Sequence, residues 1–378
     1  MASGSPAASG SPAAGEDVMS DAATLRTDLN YMLGEHLMLT AKATDAALGG
    51  RTDQFNAYAD LLNQNGTDLG AYLGTVYGAE AEDQFNQIWA DHIGYFVAYT
   101  TAIASGDDAP KSKANDDLMN DYVPRFTAFI VGATDLPEDA VKAATEEHVK
   151  TTEAVIDAQG EADWPAAYEA LRTAFAHMSM IGDALAPAIA TKNSIAGDPL
   201  TAGVDFRTAL DQLLQEHLFL TTFATDAAIG GRTDEFNAAA AAVGDNGKDL
   251  GAAIQSIYGD DAQTQFNDIW TAHIGFFVDY TTAVATGDDA AKATADGNLD
   301  TIYTPQFAAF LASATGLPED TLAALTADHV ATTEAVIDAQ GAGDVSAAAG
   351  SDRTAGMHMR MIGDPLAQAI VAAMPDKF

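Results

Sequence analysis

The sequence predicts an all-α protein made of two tandem, homologous six-helix domains, each built on a four-helix bundle core. The chain repeats itself at a spacing of 181 residues, and each copy holds six segments of helical length separated by turn-forming residues. Apolar residues recur three and four positions apart within these segments, whereas the alternation typical of strands is missing. The copies align without net insertion from Leu25/Phe206 to Ile189/Ile370, so both are expected to share one fold.

The chain is expected to divide into four parts. Residues 1–19 are rich in Ser, Gly, Pro and Ala, and such a composition predicts a disordered tether. Residues 20–193 form the first helical domain, residues 194–203 a short linker, and residues 204–378 the second domain. Each domain is long enough to bury a core of its own.

Glycine, proline and aspartate clusters delimit the helices of the first domain, and the second domain repeats them. The helices are expected at residues 21–48, 52–77, 79–105, 110–134, 137–159 and 164–191. Pro137 and Pro318 each precede Glu-Asp, which is typical of the first turn of a helix.

Composition restricts the partners of this chain. With 17 Lys+Arg against 55 Asp+Glu, the net charge of −38 disfavours nucleic acids and anionic membranes and favours cations. Most of these carboxylates are interpreted as a solubility coat. Cysteine is absent, which excludes disulfides, thiolate metal sites and covalent haem attachment.

The N-terminal segment indicates the compartment of the protein. No apolar run reaches the length of a transmembrane span. A Ser/Gly/Pro/Ala tether often follows a removed signal peptide or a lipid anchor. The sequence therefore favours a secreted or cell-surface protein, held by a lipid or other surface tether through its first residues.

All eight histidines are candidate metal ligands, and they form four pairs at the repeat spacing. The pairs are His36/His217, His92/His273, His148/His329 and His177/His358. Each lies at the apolar centre and near the midpoint of the first, third, fifth or sixth predicted helix of its domain. Because helix midpoints of an up-and-down bundle share one level, the four imidazoles of a domain are expected to converge in one buried layer.

A buried histidine layer needs partners for both ring nitrogens. A lone histidine on an apolar face is usually hydrogen-bonded to a hydroxyl or a carbonyl. The candidate second-shell partners are Thr40, Thr152 and Tyr99, with Thr221, Thr333 and Tyr280 in the second domain. Each imidazole nitrogen left unpaired costs about 1–3 kcal/mol, and a bound cation removes that cost by using the acceptor nitrogens.

Imidazole ligands suit zinc, copper, nickel and iron. Met180 and Met361, three residues after the last histidine of each copy, add a thioether and favour copper, with zinc close behind. No carboxylate stands three or four residues from a histidine, which is the spacing that di-iron bundles use. Glu35 and Glu216 directly precede a histidine and are interpreted as solvated helix flanks. A closed site with four protein ligands resembles a storage centre more than a catalytic one, and no hydrolase or nucleotide motif occurs.

Two alternatives remain open from the sequence. Histidines facing each other on two helices ligate b-type haem, and Gly94 and Gly275 in the His-Ile-Gly strings would open room for it. A helical surface or interaction protein, with a hydrogen-bonded histidine core and no metal, is the other alternative. The favoured function is copper or zinc capture, storage or buffering outside the cytoplasm.

Short strings in both copies give a resemblance to known proteins. They are Glu35-His36, His92-Ile-Gly94, Glu147-His148, His177-Met178 and the closing Met374-Pro-Asp-Lys-Phe378. These strings resemble a poorly characterised group of secreted bacterial helical-bundle proteins, some of which are loosely labelled copper amine oxidases. The Asn-Tyr-Asp/Glu tripeptide of a true copper amine oxidase is missing, so the resemblance implies a link to copper and no amine oxidase activity.

Overall fold

Two all-helical halves make up the structure, a computed structural model that describes residues 17–378. The first half contains α1 (Asp21–Leu48), α2 (Thr52–Tyr77), α3 (Ala79–Ser105), α4 (Asp108–Asp117), α5 (Val123–Thr134), α6 (Glu138–Gly160) and α7 (Trp164–Asn193). The second half contains α8 (Ala202–Ile229), α9 (Thr233–Tyr258), α10 (Asp260–Thr286), α11 (Asp289–Asn298), α12 (Thr304–Thr315), α13 (Glu319–Ala342) and α14 (Val345–Ala373). No strand occurs within residues 17–378, which confirms the predicted fold class.

The predicted tether falls largely on residues 1–16, which lie outside the described residues. Residues 17–19 form a turn before α1, and Val18 is buried against Val204 and Val371 of the second half. Side-chain caps begin several helices: Ser20 accepts a hydrogen bond from the N–H of Ala23, and Thr201 accepts one from Val204.

The fourth predicted helix of each copy is bent by a π-helical segment. Leu118–Tyr122 joins α4 to α5, and Leu299–Tyr303 joins α11 to α12. Pro124 and Pro305 lie two residues after these segments. Proline has no N–H and clashes with the carbonyl four residues earlier, so the wider π turn accommodates it.

Helix α1 lies at the centre of the first half and α8 at the centre of the second. Most residues of α1 are buried, because it packs against α2, α3, α6 and α7 and also against α8. Its burial is therefore not confined to one stripe; even Asn30, Lys42 and Asp45 are buried.

The halves pack through reciprocal contacts, as in a two-fold dimer. Arg172 of α7 pairs with Glu216 of α8, with 3.0 Å between Nε and Oε1. The equivalent Arg353 of α14 pairs with Glu35 of α1 at the same distance. Arg26 likewise donates to the carbonyl of Pro199, and Arg207 to that of Val18. The interface thus reaches α1 and α8, the helices that carry His36 and His217.

Candidate metal centre

Three imidazoles from three helices converge inside each half. His36 of α1, His92 of α3 and His148 of α6 each offer one ring nitrogen, and these nitrogens all lie within 4.8 Å of one another. His217, His273 and His329 form the same arrangement in the second half. An ion with metal–nitrogen bonds of about 2.0–2.1 Å holds its ligands about 3.3–3.6 Å apart. Side-chain movements of about one ångström therefore bring each triad into ligating range.

Every imidazole of the first triad carries a buried ring nitrogen without a hydrogen-bond partner among the described residues. These atoms are Nδ1 of His36 and Nε2 of His92 and His148, and the second triad repeats two of them, Nδ1 of His217 and Nε2 of His273. The other nitrogen of His92 has a partner, since Nδ1 lies 2.5 Å from the carbonyl oxygen of Trp89. A carbonyl only accepts, so Nδ1 carries the proton and Nε2 keeps its lone pair. Unpaired, buried lone pairs aimed at one region fit a cation.

Burial keeps the imidazoles neutral. Desolvation lowers the pKa of His92 and His273 to about 4 and, with the neighbouring imidazoles, lowers the pKa of His148 and His329 to about 3. The same causes lower the pKa of His36 and His217 well below the ordinary value. At neutral pH the triads are therefore free of protons that would compete with a metal.

Aromatic rings hold the triad in place. The Trp89 ring packs against His36, with centroids 4.6 Å apart, and Tyr122 stacks on His92 at 4.7 Å. Tyr122 is the last residue of the π-helical segment, so the bend in the helix supplies this ring. Sequence reasoning missed Tyr122 and its equivalent Tyr303; a proline inside the predicted helix 110–134 was the available signal.

The fourth predicted ligand lies outside each triad. Nε2 of His177 lies 2.9 Å from the carbonyl oxygen of Ala144, and Nε2 of His358 lies 3.1 Å from that of Leu325. Ala144 precedes His148 by one helical turn, so α7 meets α6 one turn away from the triad rather than level with it. The structure therefore places three histidines together where the sequence predicted a layer of four. His177 instead joins α7 to α6 by a hydrogen bond, and His358 joins α14 to α13.

The auxiliary residues also differ from their predicted roles. Met180 and Met361 are 65% and 60% exposed, which excludes them as ligands of these buried sites. Their buried neighbours Met178 and Met359 occupy the core side of the helix instead.

Among the predicted hydroxyl partners, Thr152 and Thr333 approach the ring of a triad histidine, each 3.5 Å from Nδ1. Thr40 donates to the backbone carbonyl of His36, whereas Thr221 has no hydrogen-bond partner among residues 17–378. Tyr99 and Tyr280 donate to Asp157 and Asp338. Only the threonines of α6 and α13 thus contact an imidazole nitrogen.

The glutamates beside the first histidines are not solvated. Glu35 is 1% exposed and Glu216 is 4% exposed, so the predicted helix flank is wrong for both. Each accepts a hydrogen bond from an asparagine of its own half, Asn65 or Asn246, at 2.8 Å, besides the arginine of the other half. Each of these glutamates directly precedes a triad histidine, so the contact between the halves lies one residue away from that histidine in the sequence.

Comparison with known proteins gives no relative. No family model, no curated protein and no solved structure matches this chain. No helix within residues 17–378 is long and apolar enough to cross a membrane. Inference about function therefore depends on the triads themselves.

Proposed function

We propose that this protein binds a transition-metal ion in each half through the triads His36/His92/His148 and His217/His273/His329, for metal capture, storage or buffering. The observation that supports the proposal is the set of buried ring nitrogens that lack a hydrogen-bond partner within the described chain. Leaving them unpaired costs about 1–3 kcal/mol each, and an ion satisfies the three of the first triad at once.

The donor set favours copper or zinc. Neutral imidazoles bind both, whereas iron and nickel sites in proteins usually add carboxylates or further ligands. The buried carboxylates that directly precede a triad histidine, Glu35 and Glu216, are engaged by arginines, which leaves nitrogen as the donor. When bound, such an ion offers Lewis acidity or one-electron chemistry at an otherwise apolar position.

Two observations disfavour b-type haem. The imidazole rings of the first triad lie with centroids 5.4–6.2 Å apart, which leaves no slot between them for a porphyrin. Gly94 and Gly275, the glycines expected to open room, face open space rather than the site. The space between the three imidazoles thus fits a metal ion and not a porphyrin.

We also propose that the protein acts outside the cytoplasm, as a secreted or surface-tethered molecule. The Ser/Gly/Pro/Ala composition of its first residues supports this location. Fractionation of the native host with an antibody against the chain tests it, and recovery in the cytosolic fraction alone would overturn it.

Metal analysis tests the proposed function. Protein stripped with a chelator and reloaded with Cu(I) or Zn(II) should retain about two ions per chain and gain thermal stability, by about 2.7 kcal/mol per site at a free metal concentration of 100 times Kd. The double variant His148→Leu/His329→Leu should lose both the ions and the gain.

A matched control separates the triad from a four-histidine site. The double variant His177→Leu/His358→Leu removes two histidines that bond to backbone carbonyls, and it should still bind about two ions. Failure of the parent protein to retain metal would refute the proposal, and equal loss in both double variants would refute the three-ligand assignment.

A further inference from the structure

The two triads differ in the cavity that lies beside them. A cavity of about 220 Å³ lies beside the first triad, and all three of its imidazoles line it. Its walls also include Asn63, Val97 and Thr101, which are exposed at the surface. The cavity therefore leads from the surface between α2 and α3 to the imidazole rings of the triad.

The equivalent space in the second half is smaller and stops short of the histidines. It measures about 80 Å³ and is lined by Thr221, Val278 and Thr282, among others, but by none of His217, His273 and His329. A separate cavity of about 60 Å³ is lined by His329 but by neither His217 nor His273. These cavities thus reach all three imidazoles of the first triad but only His329 of the second.

A three-histidine ion has room for one more ligand. Zinc and copper sites with three protein ligands take water or a substrate at the remaining position, whereas a fully enclosed site has no such exchange. The cavity beside the first triad provides the space, since each water occupies about 30 Å³ in the liquid.

The walls of the cavity restrict what enters it. No Asp, Glu, Lys or Arg lines it, and Leu37, Phe55, Leu62 and Phe96 supply apolar surface. Four of its five threonine hydroxyls already donate to acceptors on the protein, for example Thr100 to the carbonyl of Phe96. An anion would find no cationic partner other than the metal, and the net charge of −38 repels it as well.

From these observations we propose that the first triad, and not the second, is a binding site for a small uncharged molecule that donates a lone pair to the bound metal. The inference rests on the proposed metal binding. The ion of the first triad then binds an external ligand, whereas the ion of the second triad has only protein ligands. The step is a dative bond only, with no oxidation and no proton transfer.

Carbon monoxide on the Cu(I)-loaded full chain tests the proposal. Infrared spectroscopy counts bound carbon monoxide through its stretching band, and copper is measured on the same sample. We expect two copper ions but only about one carbon monoxide per chain. Two bound carbon monoxides, or none, on a chain with two copper ions would overturn the inference and leave the proposed function intact. A chain that retains neither copper nor zinc refutes both.

Single-site variants locate the ligand. His329→Leu should keep one copper ion and the full band, whereas His148→Leu should keep one copper ion and lose the band. A second pair tests the cavity itself: Ala59→Phe places a ring in the wall of the first cavity, and Ala240→Phe makes the same change at the equivalent, exposed position. We expect loss of the band in Ala59→Phe with copper content unchanged and no loss in Ala240→Phe; an equal response of the pair would contradict the proposal.

Discussion

Lys42 of α1 and Phe223 of α8 occupy equivalent positions in the two halves, yet one is ionic and the other apolar. Nζ of Lys42 lies 2.9 Å from Asp352 of α14, a fully buried carboxylate, and 4.3 Å from the centroid of the Phe223 ring. The residue equivalent to Asp352 is Leu171, which packs in the same core as Phe223. The two halves therefore fill matching positions at their interface by an ion pair on one side and by apolar contact on the other.

This difference teaches what each solution requires. The ionic side needs a complete set of partners: Asp352 also accepts hydrogen bonds from Tyr58 at 3.0 Å and Thr222 at 2.7 Å. The apolar side needs only complementary shape. The triads, in contrast, have the same residues in both halves. The two halves have therefore diverged at interface positions, where either an ion pair or an apolar contact fills the space, and have kept the triad residues.

Breaking the buried ion pair should give the largest effect. Asp352→Leu, which copies Leu171, leaves Lys42 buried without its counter-ion and should lower the free energy of unfolding by about 3–5 kcal/mol. The double variant Lys42→Met/Asp352→Leu should recover most of that loss. Urea unfolding followed by circular dichroism measures both.

The exposed pair of Lys113 and Asp117 is the control for this measurement. Lys113→Met should cost no more than about 0.5 kcal/mol, because surface pairs are screened by solvent. A double variant as unstable as Asp352→Leu alone would show that the charges themselves, rather than their mutual compensation, stabilise the interface.

Sequence reasoning reached the helices and the histidines because both follow local rules. The apolar periodicity and the turn residues predicted α1, for instance, at its observed bounds of 21 and 48. The same periodicity placed His36, His92 and His148 inside the core. The periodicity does not give the shift of one helix relative to another along their axes. His177 of α7 meets α6 at Ala144, one turn before His148, and no pattern within α7 predicts that shift.

The interface was also beyond local rules. Glu35 follows the polar pattern of a helix flank, but its partner Arg353 stands 318 positions away in the other half. A second copy of the domain covers the surface that the pattern assigns to solvent. Only the packing of the two halves on each other reveals that Glu35 is buried.

Acidification should destabilise both triads equally. Unfolding restores the ordinary histidine pKa of about 6.5, whereas the folded pKa of His148 and His329 is about 3, so the unfolded chain binds more protons between these values. Stability from each is fully present above pH 6.5 and is lost as the pH falls towards 3. Between pH 6.5 and 5 each imidazole should account for a loss of about 1.6 kcal/mol.

Comparison of variants isolates this contribution in metal-free protein. Asp45, Glu153 and Glu334 oppose the trend, because burial raises the pKa of each to about 7 and their protonated forms favour the folded state as the pH falls. His148→Leu and His329→Leu should each flatten the pH dependence of the urea midpoint by the same amount. A clearly smaller effect of His148→Leu would mean that the cavity hydrates the first triad and raises the pKa of its imidazole.

A methyl group beside the tryptophan should give the smallest effect and distinguish the halves again. A Cβ at Gly66 would lie 2.6 Å from Cδ1 of Trp89, whereas at Gly247 the nearest atom of Trp270 is 2.9 Å away. Because Trp89 packs against His36, Gly66→Ala should push the ring towards the triad and cost about 1–2 kcal/mol, with a smaller cost for Gly247→Ala. Gly94→Ala, which meets open space on the same helix as Trp89, should be neutral or stabilising by up to about 1 kcal/mol. Urea midpoints rank the three variants, and a Gly66→Ala protein as stable as Gly94→Ala would show that the tryptophan is free to move and does not fix the position of His36.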